Sequence, residues 1–226
     1  IKVCDIGASP VDKTDFIEEL INNTDSVLIG FEPNYEEFQK LNQSDPKKKY
    51  YNFGIGDGSE KILNICKAAG MSSFLEPDLE YLNNFHGFDQ WSQIIKQVKV
   101  KTKKLNDIDE NIDFLKIDIQ GYELEALKGM TKQLKFVDFI YVEVNFCELY
   151  KGCPNISEMD DFLLNFSFLR VGTIKTKDGW GDAIYAKEKI SLLRIYYKFL
   201  KINVVKRFIF YKFKRIFQII KKILFS

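Results

Sequence analysis

The sequence predicts an α/β fold: a doubly wound, seven-stranded, mostly parallel sheet of Rossmann-like type, followed by a C-terminal basic amphipathic helical tail. Three observations predict it. Strand and helix patterns alternate for most of the length, as βαβ units require. Three apolar runs each close on an acid, at Asp5-Ile6-Gly7, Phe31-Glu32-Pro33 and Lys116-Ile117-Asp118. Acids so placed stand where open α/β sheets bind ligands, at the carboxyl ends of the strands. Finally, the composition changes at residue 190, beyond which ten Lys and Arg occur with no acid.

The elements follow in order. Lys2–Ile6 reads as the first strand, and residues 12–22 carry apolar side chains at 16, 17, 20 and 21, a helical spacing. Ser26–Phe31 is the second strand; Asn34–Leu41 is a short helix entered through Pro33 and capped by Asn34. Tyr50–Ile55 is the expected third strand, before the turn Gly56-Asp57-Gly58. Residues 59–105 read as an insertion or lid region, with Lys61–Cys66 and Gln97–Leu105 alternating as strands. Between them lie Gly70-Met71-Ser72-Ser73-Phe74 and a helical stretch ending in Phe85-His86-Gly87-Phe88 and Trp91. That aromatic loop suits a substrate wall, or equally a small satellite core. Asp113–Ile119 is the fourth core strand, Glu123–Leu134 its helix, and Phe139–Asn145 the fifth strand, which carries Glu143. Ile156–Phe166 is a helix, and Phe168–Ile174 with Asp182–Lys187 form a closing antiparallel hairpin around Asp178-Gly179-Trp180-Gly181.

Length and composition bound the function. The 226 residues, 46% hydrophobic, support one sizeable core and an appendage, here residues 1–189 and 190–226. The net charge of +1 conceals an asymmetry: residues 1–189 hold 23 basic and 32 acidic groups, a net of −9. The four cysteines show no C-x-x-C pair and read as reduced thiols, which points to a cytoplasmic protein. No signal peptide is expected, because the chain opens in a strand, and the missing initiator Met suggests a trimmed product.

The first loop, Asp5-Ile6-Gly7-Ala8, permits close backbone approach but is not G-x-G-x-x-G, and a tight βα turn explains it equally well. Glu32 strengthens the reading, because a carboxylate ending the second strand can take the hydroxyls of a ribose. Together they indicate a nucleoside-type cofactor. Asp118, followed by Gln120-Gly121-Tyr122-Glu123, and Glu143 on the adjacent strand are placed to bind a substrate hydroxyl or act as base. Glu123 also reads as a plain helix cap. No metal is expected, because transition metals usually attract a histidine and none is nearby.

Several blocks in order resemble the FkbM family of S-adenosyl-L-methionine-dependent methyltransferases. They are Val3-Cys4-Asp5-Ile6-Gly7-Ala8, Gly30-Phe31-Glu32-Pro33-Asn34, Gly54-Ile55-Gly56-Asp57-Gly58, the run from Phe114 to Leu124 that holds Lys116-Ile117-Asp118-Ile119-Gln120-Gly121-Tyr122-Glu123, and Tyr141-Val142-Glu143-Val144. A branch of the family is matched by Gly70-Met71-Ser72-Ser73, Glu76-Pro77-Asp78, Phe85-His86-Gly87-Phe88, Trp91, Leu149-Tyr150-Lys151-Gly152 and Asp182-Ala183-Ile184-Tyr185. The resemblance spans residues 2–187. It implies the class I methyltransferase fold, S-adenosyl-L-methionine as cofactor, and O-methylation of a hydroxyl on a saccharide, glycolipid precursor or small natural product. The resemblance implies Asp5, Gly7 and Glu32 as cofactor contacts and Asp118 near the transferred methyl; Ala8, Pro33, Asp57 and Asp118 complete the cofactor-binding candidates. Catalytic candidates are Asp118, Glu143 and His86, the only histidine, and acceptor-binding candidates are Ser72, Ser73, Trp91, Glu143 and Asp182. The chain departs from many family members at Ser9-Pro10, where Pro10 has no backbone N–H to offer a ligand.

The tail has Arg207, Lys214 and Lys221 at seven-residue intervals beside a wide apolar face, and no uncharged run in it exceeds six residues. Such a helix lies in an anionic membrane interface rather than spanning it, which would place the protein peripherally at the inner face of the membrane. Nucleic acid is the poorer fit, given so much Ile, Leu and Phe; a docked helix or an oligomer contact also stands. Two rival functions stand beside methyl transfer: a nicotinamide-dependent oxidoreductase, and a non-catalytic, membrane-tethered module binding a nucleoside or glycan.

Overall fold

The computed structural model describes residues 1–188 except 11–14, 24, 42–43, 109–110 and 177–178. The basic tail expected from residue 190 onward lies outside the described residues. The described elements are β1 (Lys2–Ile6), α1 (Asp15–Asn23), β2 (Val27–Phe31), α2 (Tyr35–Lys40), β3 (Lys48–Tyr51), β4 (Glu60–Cys66), α3 (Leu79–Leu82), α4 (Phe88–Trp91), β5 (Ile94–Lys101), β6 (Phe114–Ile117), α5 (Glu123–Lys128), β7 (Phe139–Asn145), α6 (Ile156–Leu164), β8 (Phe168–Lys175) and β9 (Trp180–Lys187).

Seven strands form one sheet in the order β3-β2-β1-β6-β7-β9-β8, and β9 alone runs against its neighbours. This is the expected seven-stranded, mostly parallel arrangement. The order reverses between β1 and β6, and a doubly wound sheet opens its ligand crevice outside the strand ends at that point. Alternating side chains divide the core between the two faces. Cys4, Ile6, Ile117, Val142 and Val144 pack on the α5 and α6 side, while Val3, Leu28, Phe114 and Phe139 meet Ile17, Leu20 and Ile21 of α1. Local chemistry sets the helix starts. The Asn34 side chain accepts from Glu36 N–H at 3.1 Å to cap α2, and Asn155 and Glu158 form a reciprocal capping box on α6.

The insertion is a separate antiparallel ribbon of β4 and β5. It is stitched to the sheet domain through the Pro77–Tyr150 bridge and the Asp78 N–H bond to the Leu149 carbonyl. Leu82, Leu149 and Tyr150 form a small core of their own beneath it.

Three boundaries differ from the sequence expectation. The third strand is Lys48–Tyr51 rather than Tyr50–Ile55. Asn52 turns its side chain onto the Glu32 and Pro33 carbonyls, and the chain then leaves the sheet so that Ile55 bridges Lys103 instead. The helix expected over Glu123–Leu134 stops at Lys128; Gly129, its C-cap, packs against Gly56, where a Cβ would stand 2.2 Å from the Gly56 carbonyl oxygen. The second ribbon strand is Ile94–Lys101 rather than Gln97–Leu105, and it ends where the Thr102 hydroxyl turns back to donate to the Ser59 carbonyl at 2.8 Å.

Candidate functional site

A cleft opens at the carboxyl ends of β1, β2 and β6, with Gly7, Ser9, Glu32, Asn34, Asp118 and Gln120 among its lining. Backbone bonds fix its floor. The N–H groups of Gly7 and Ala8 both donate to the Phe31 carbonyl, at 3.0 and 3.1 Å, and Asp118 N–H donates to Ile6 at 3.0 Å. Gly7 has φ of 85°, and a Cβ there would lie 2.0 Å from the Asp118 carbonyl oxygen. The first and third acidic loops therefore cross at a point only glycine allows.

Glu32 closes β2 and is 6% exposed. Its Oε1 accepts Asn34 N–H at 2.6 Å, while its Oε2 has no partner among the described residues. Burial pushes this carboxyl up to about 7, against the lowering effect of the Asn34 hydrogen bond and with further raising by the nearby Glu37 and Asp5 charges. Ionised, Glu32 offers a desolvated hydrogen-bond acceptor in the cleft lining.

Lys116 is the unexpected member. It sits in the middle of β6, 1% exposed, with Nζ 3.1 Å from Asp5 Oδ1 and 3.8 Å from Asp118 Oδ2. The same ammonium donates to the Gly7 carbonyl at 3.3 Å. One cation thus holds two strand-end acids and the first loop together. Even so, burial outweighs its attraction and leaves the Asp5 carboxyl raised.

The loop after β6 is locked from below. Glu123 Oε1 accepts the N–H groups of Ile119 and Gly121, each at 3.0 Å, and burial pushes its carboxyl up to about 7. It does more than cap its helix. Gln120 takes φ of 57° and Gly121 φ of 93°. The Gln120 amide donates to Asp118 Oδ1 at 3.0 Å.

The insertion supplies the opposite wall through Gly70, Ser72, Ser73 and Phe74. The hydroxyls of both serines are engaged within the protein. Ser72 Oγ accepts Cys66 N–H at 3.1 Å; Ser73 Oγ donates to the Gln120 carbonyl at 2.7 Å and accepts Leu75 N–H at 3.0 Å.

Other sequence candidates fall outside the cleft lining. Asp5 and Ala8 lie beneath it, whereas Pro33 joins Glu32 in lining it. Glu143 pairs in register with Asp182 across β7 and β9. Tyr141 on that face donates to Asp182, whose carboxyl burial raises. These groups form a second polar set near Asp118. Asp57 is exposed and takes hydrogen bonds from Ser59 N–H and Oγ at 2.8 and 2.6 Å, with Lys61 at 3.1 Å; the Ser59 bonds hold its carboxyl well below the usual range. His86 is exposed, and Trp91 is 48% exposed with its ring 5.2 Å from Phe88. The structure does not bring Asp57, His86 or Trp91 to the cleft. Sequence reasoning, for its part, assigned no role to Lys116, Gln120 or Glu37. A lysine between Leu115 and Ile117 in an apolar run was the available signal for the first.

All four cysteines are free thiols. Among the described residues, no three His, Cys, Asp or Glu side chains are placed to hold a metal ion, and no helix is long and apolar enough to cross a membrane.

Comparison with known proteins gives these features a family. Hexuronic acid methyltransferase AglP of Haloferax volcanii is 28% identical over 126 residues, covering 55% of this chain and 50% of that protein. The 2-O-methyltransferase NoeI of Sinorhizobium fredii is 31% identical over 85 residues, 35% of each. The chain thus spans half or less of the length of these curated relatives. Among solved structures, the magnesium protoporphyrin IX methyltransferase ChlM of Synechocystis, with bound S-adenosylmethionine, superimposes with a TM-score of 0.46 at 8% identity, covering 82% of this chain and 69% of that one. The model of the methyltransferase FkbM domain matches residues 5–170, which include all three strand-end acids and the insertion wall. The chain belongs to the FkbM methyltransferase domain family.

Proposed function

We propose that the protein is an S-adenosyl-L-methionine-dependent methyltransferase acting on a hydroxyl of a saccharide or glycolipid precursor. One observation carries the reading: buried Glu32, with an unpartnered oxygen, shares a cleft with Gly7 and Asp118 in a member of this family. These residues fit the cofactor. Glu32 would hold the ribose hydroxyls, the loop at Gly7 would let backbone approach, and Asp118 would stand at the polar end beside the acceptor. When bound, S-adenosylmethionine supplies an activated sulfonium methyl, so the protein's task is alignment of an acceptor oxygen and exclusion of water.

Glu143 and Asp182, beside Asp118, are the groups proposed to face that oxygen and to relieve it of its proton. The saccharide reading draws on the two relatives, named as acting on hexuronic acid and as a 2-O-methyltransferase. The basic, apolar composition of 190–226 supports peripheral attachment to an anionic membrane, which would suit a lipid-carried glycan.

The test is calorimetric titration of the full chain with S-adenosylhomocysteine, with NADH as control. Micromolar binding of the first and none of the second is expected. Preference for NADH, or no binding of either, overturns the reading.

A further inference from the structure

We propose that Gln120 is a positioning residue, whose side-chain amide orients the Asp118 carboxylate in the cleft and ties it to the insertion wall. The proposal rests on the reading above, that the cleft takes an S-adenosyl nucleoside. Three contacts converge on this residue. Its Nε2 donates to Asp118 Oδ1 at 3.0 Å; its Oε1 lies 3.0 Å from the hydroxyl of buried Tyr150; its backbone carbonyl accepts from Ser73 Oγ at 2.7 Å. Tyr150 also reaches the Met71 carbonyl at 3.1 Å, so its proton goes to one of two acceptors that bracket the wall.

The backbone makes the arrangement more telling. Gln120 is one of two described non-glycine residues at positive φ, at 57°. A β-carbon there costs on the order of 1 kcal/mol. A glycine would avoid that strain but would supply none of the side-chain bonds.

The chemistry also asks for an amide. Asp118 stands among Lys116 on its own strand, Asp5 from β1, Glu123 from α5, Tyr141 from β7, Asp182 from β9 and Tyr150 beyond β7. With Lys116 at Oδ2 and Gln120 at Oδ1, both carboxylate oxygens are oriented without a further charge. A glutamate at 120 would accept from Tyr150 but, ionised, has nothing to donate to Asp118.

Gln120→Glu is therefore the informative change, because it keeps the shape and the Ser73 contact, removes the donor and sets a second negative charge against Asp118. In the full chain it is expected to weaken S-adenosylhomocysteine about tenfold by calorimetry, and to lower the melting temperature through the repulsion of the two carboxylates. Adding Asp118→Asn restores a donor to the pair, with the roles exchanged, and is expected to recover any stability that Gln120→Glu loses. Wild-type affinity in Gln120→Glu overturns the proposal, as does a loss of stability with affinity intact, which marks a merely structural loop. Should the wild-type chain bind no S-adenosylhomocysteine, the cofactor reading fails separately. A ligand-free double-mutant cycle of Gln120→Ala with Asp118→Ala on the denaturant midpoint then decides. Non-additivity supports the link, and strict additivity overturns it.

Discussion

The sheet's strand-end loops and the insertion that faces them are built on opposite principles. At the strand ends, buried charge is concentrated and held: Lys116 between Asp5 and Asp118, Glu32 on Asn34, Glu123 on two backbone N–H groups. In the insertion, the side chains with most chemical character lie out in the open. His86 is exposed, Trp91 nearly half so, and Ile95 is 66% exposed on β5. Preorganised charge suits a constant ligand, and an adaptable wall suits a variable one. On the function proposed above, the comparison suits the loops to cofactor recognition and leaves the exposed side chains of the insertion as the ones to test for an influence on the acceptor.

The comparison is broken most severely at Lys116. Lys116→Met keeps the stem's bulk but strands Asp5 and Asp118 without their cation. Removing one partner of a buried pair costs roughly 3–5 kcal/mol. An unfolding free energy lower by that amount is expected from denaturant titration, with S-adenosylhomocysteine binding lost as well. A midpoint near wild type would mean that the sheet's polar centre is not held by this charge.

Next comes the stability carried by raised carboxyls. Burial pushes the carboxyls of Glu32 and Glu123 up to about 7, against 4.5 for a free glutamate. Between those values the folded protein keeps protons that the unfolded chain releases. Their contribution is thus fully present below about 4.5 and falls away as pH rises through 7, by roughly 3 kcal/mol for Glu32 and in the same direction for Glu123. Glu123→Gln should flatten its share of that fall in urea melts taken from pH 5 to 8. An unchanged slope would show that Glu123 is ionised in the fold.

How much of this was legible beforehand follows the same division. The strand ends were readable because an acid closing an apolar run has few explanations, and Asp5, Glu32 and Asp118 all sit where that logic put them. Asp5 nonetheless lies beneath the cleft, because its partner is a lysine from a strand more than 100 residues away, and sequence spacing carries no sign of that pairing. Asp57 was a cofactor candidate because its glycine-flanked turn matched a family block; in the fold its carboxylate is held by Ser59 and Lys61, outside the cleft lining. The insertion was the harder region. Ser72 and Ser73 were recognised as motif positions, but whether a hydroxyl faces a ligand or a backbone carbonyl depends on the tertiary approach of the loop after β6.

Glu32→Ala sharpens the comparison from the functional side. It removes the unpartnered acceptor at the cleft while deleting a desolvated carboxylate. Affinity for S-adenosylhomocysteine should fall about 100-fold, close to 2.7 kcal/mol. At pH 8 the same protein should be no less stable than wild type, because the group removed is costly to ionise where it sits. Retained affinity would deny the loops their assigned role.

The smallest effect is expected in the insertion, and it is the most discriminating. Trp91 keeps 48% of its surface exposed, and its described contact is with Phe88, a ring that also meets Trp180. Trp91→Ala should therefore cost under about 1 kcal/mol of stability, well below the ~3–5 kcal/mol of a buried aromatic. S-adenosylhomocysteine affinity should stay within about twofold, because Trp91 does not line the cleft. If instead nucleoside affinity falls with Trp91, the insertion closes over the cofactor and the division between the two regions fails. If nucleoside affinity holds while turnover of saccharide acceptors changes from one acceptor to another, the wall is where this protein chooses its substrate.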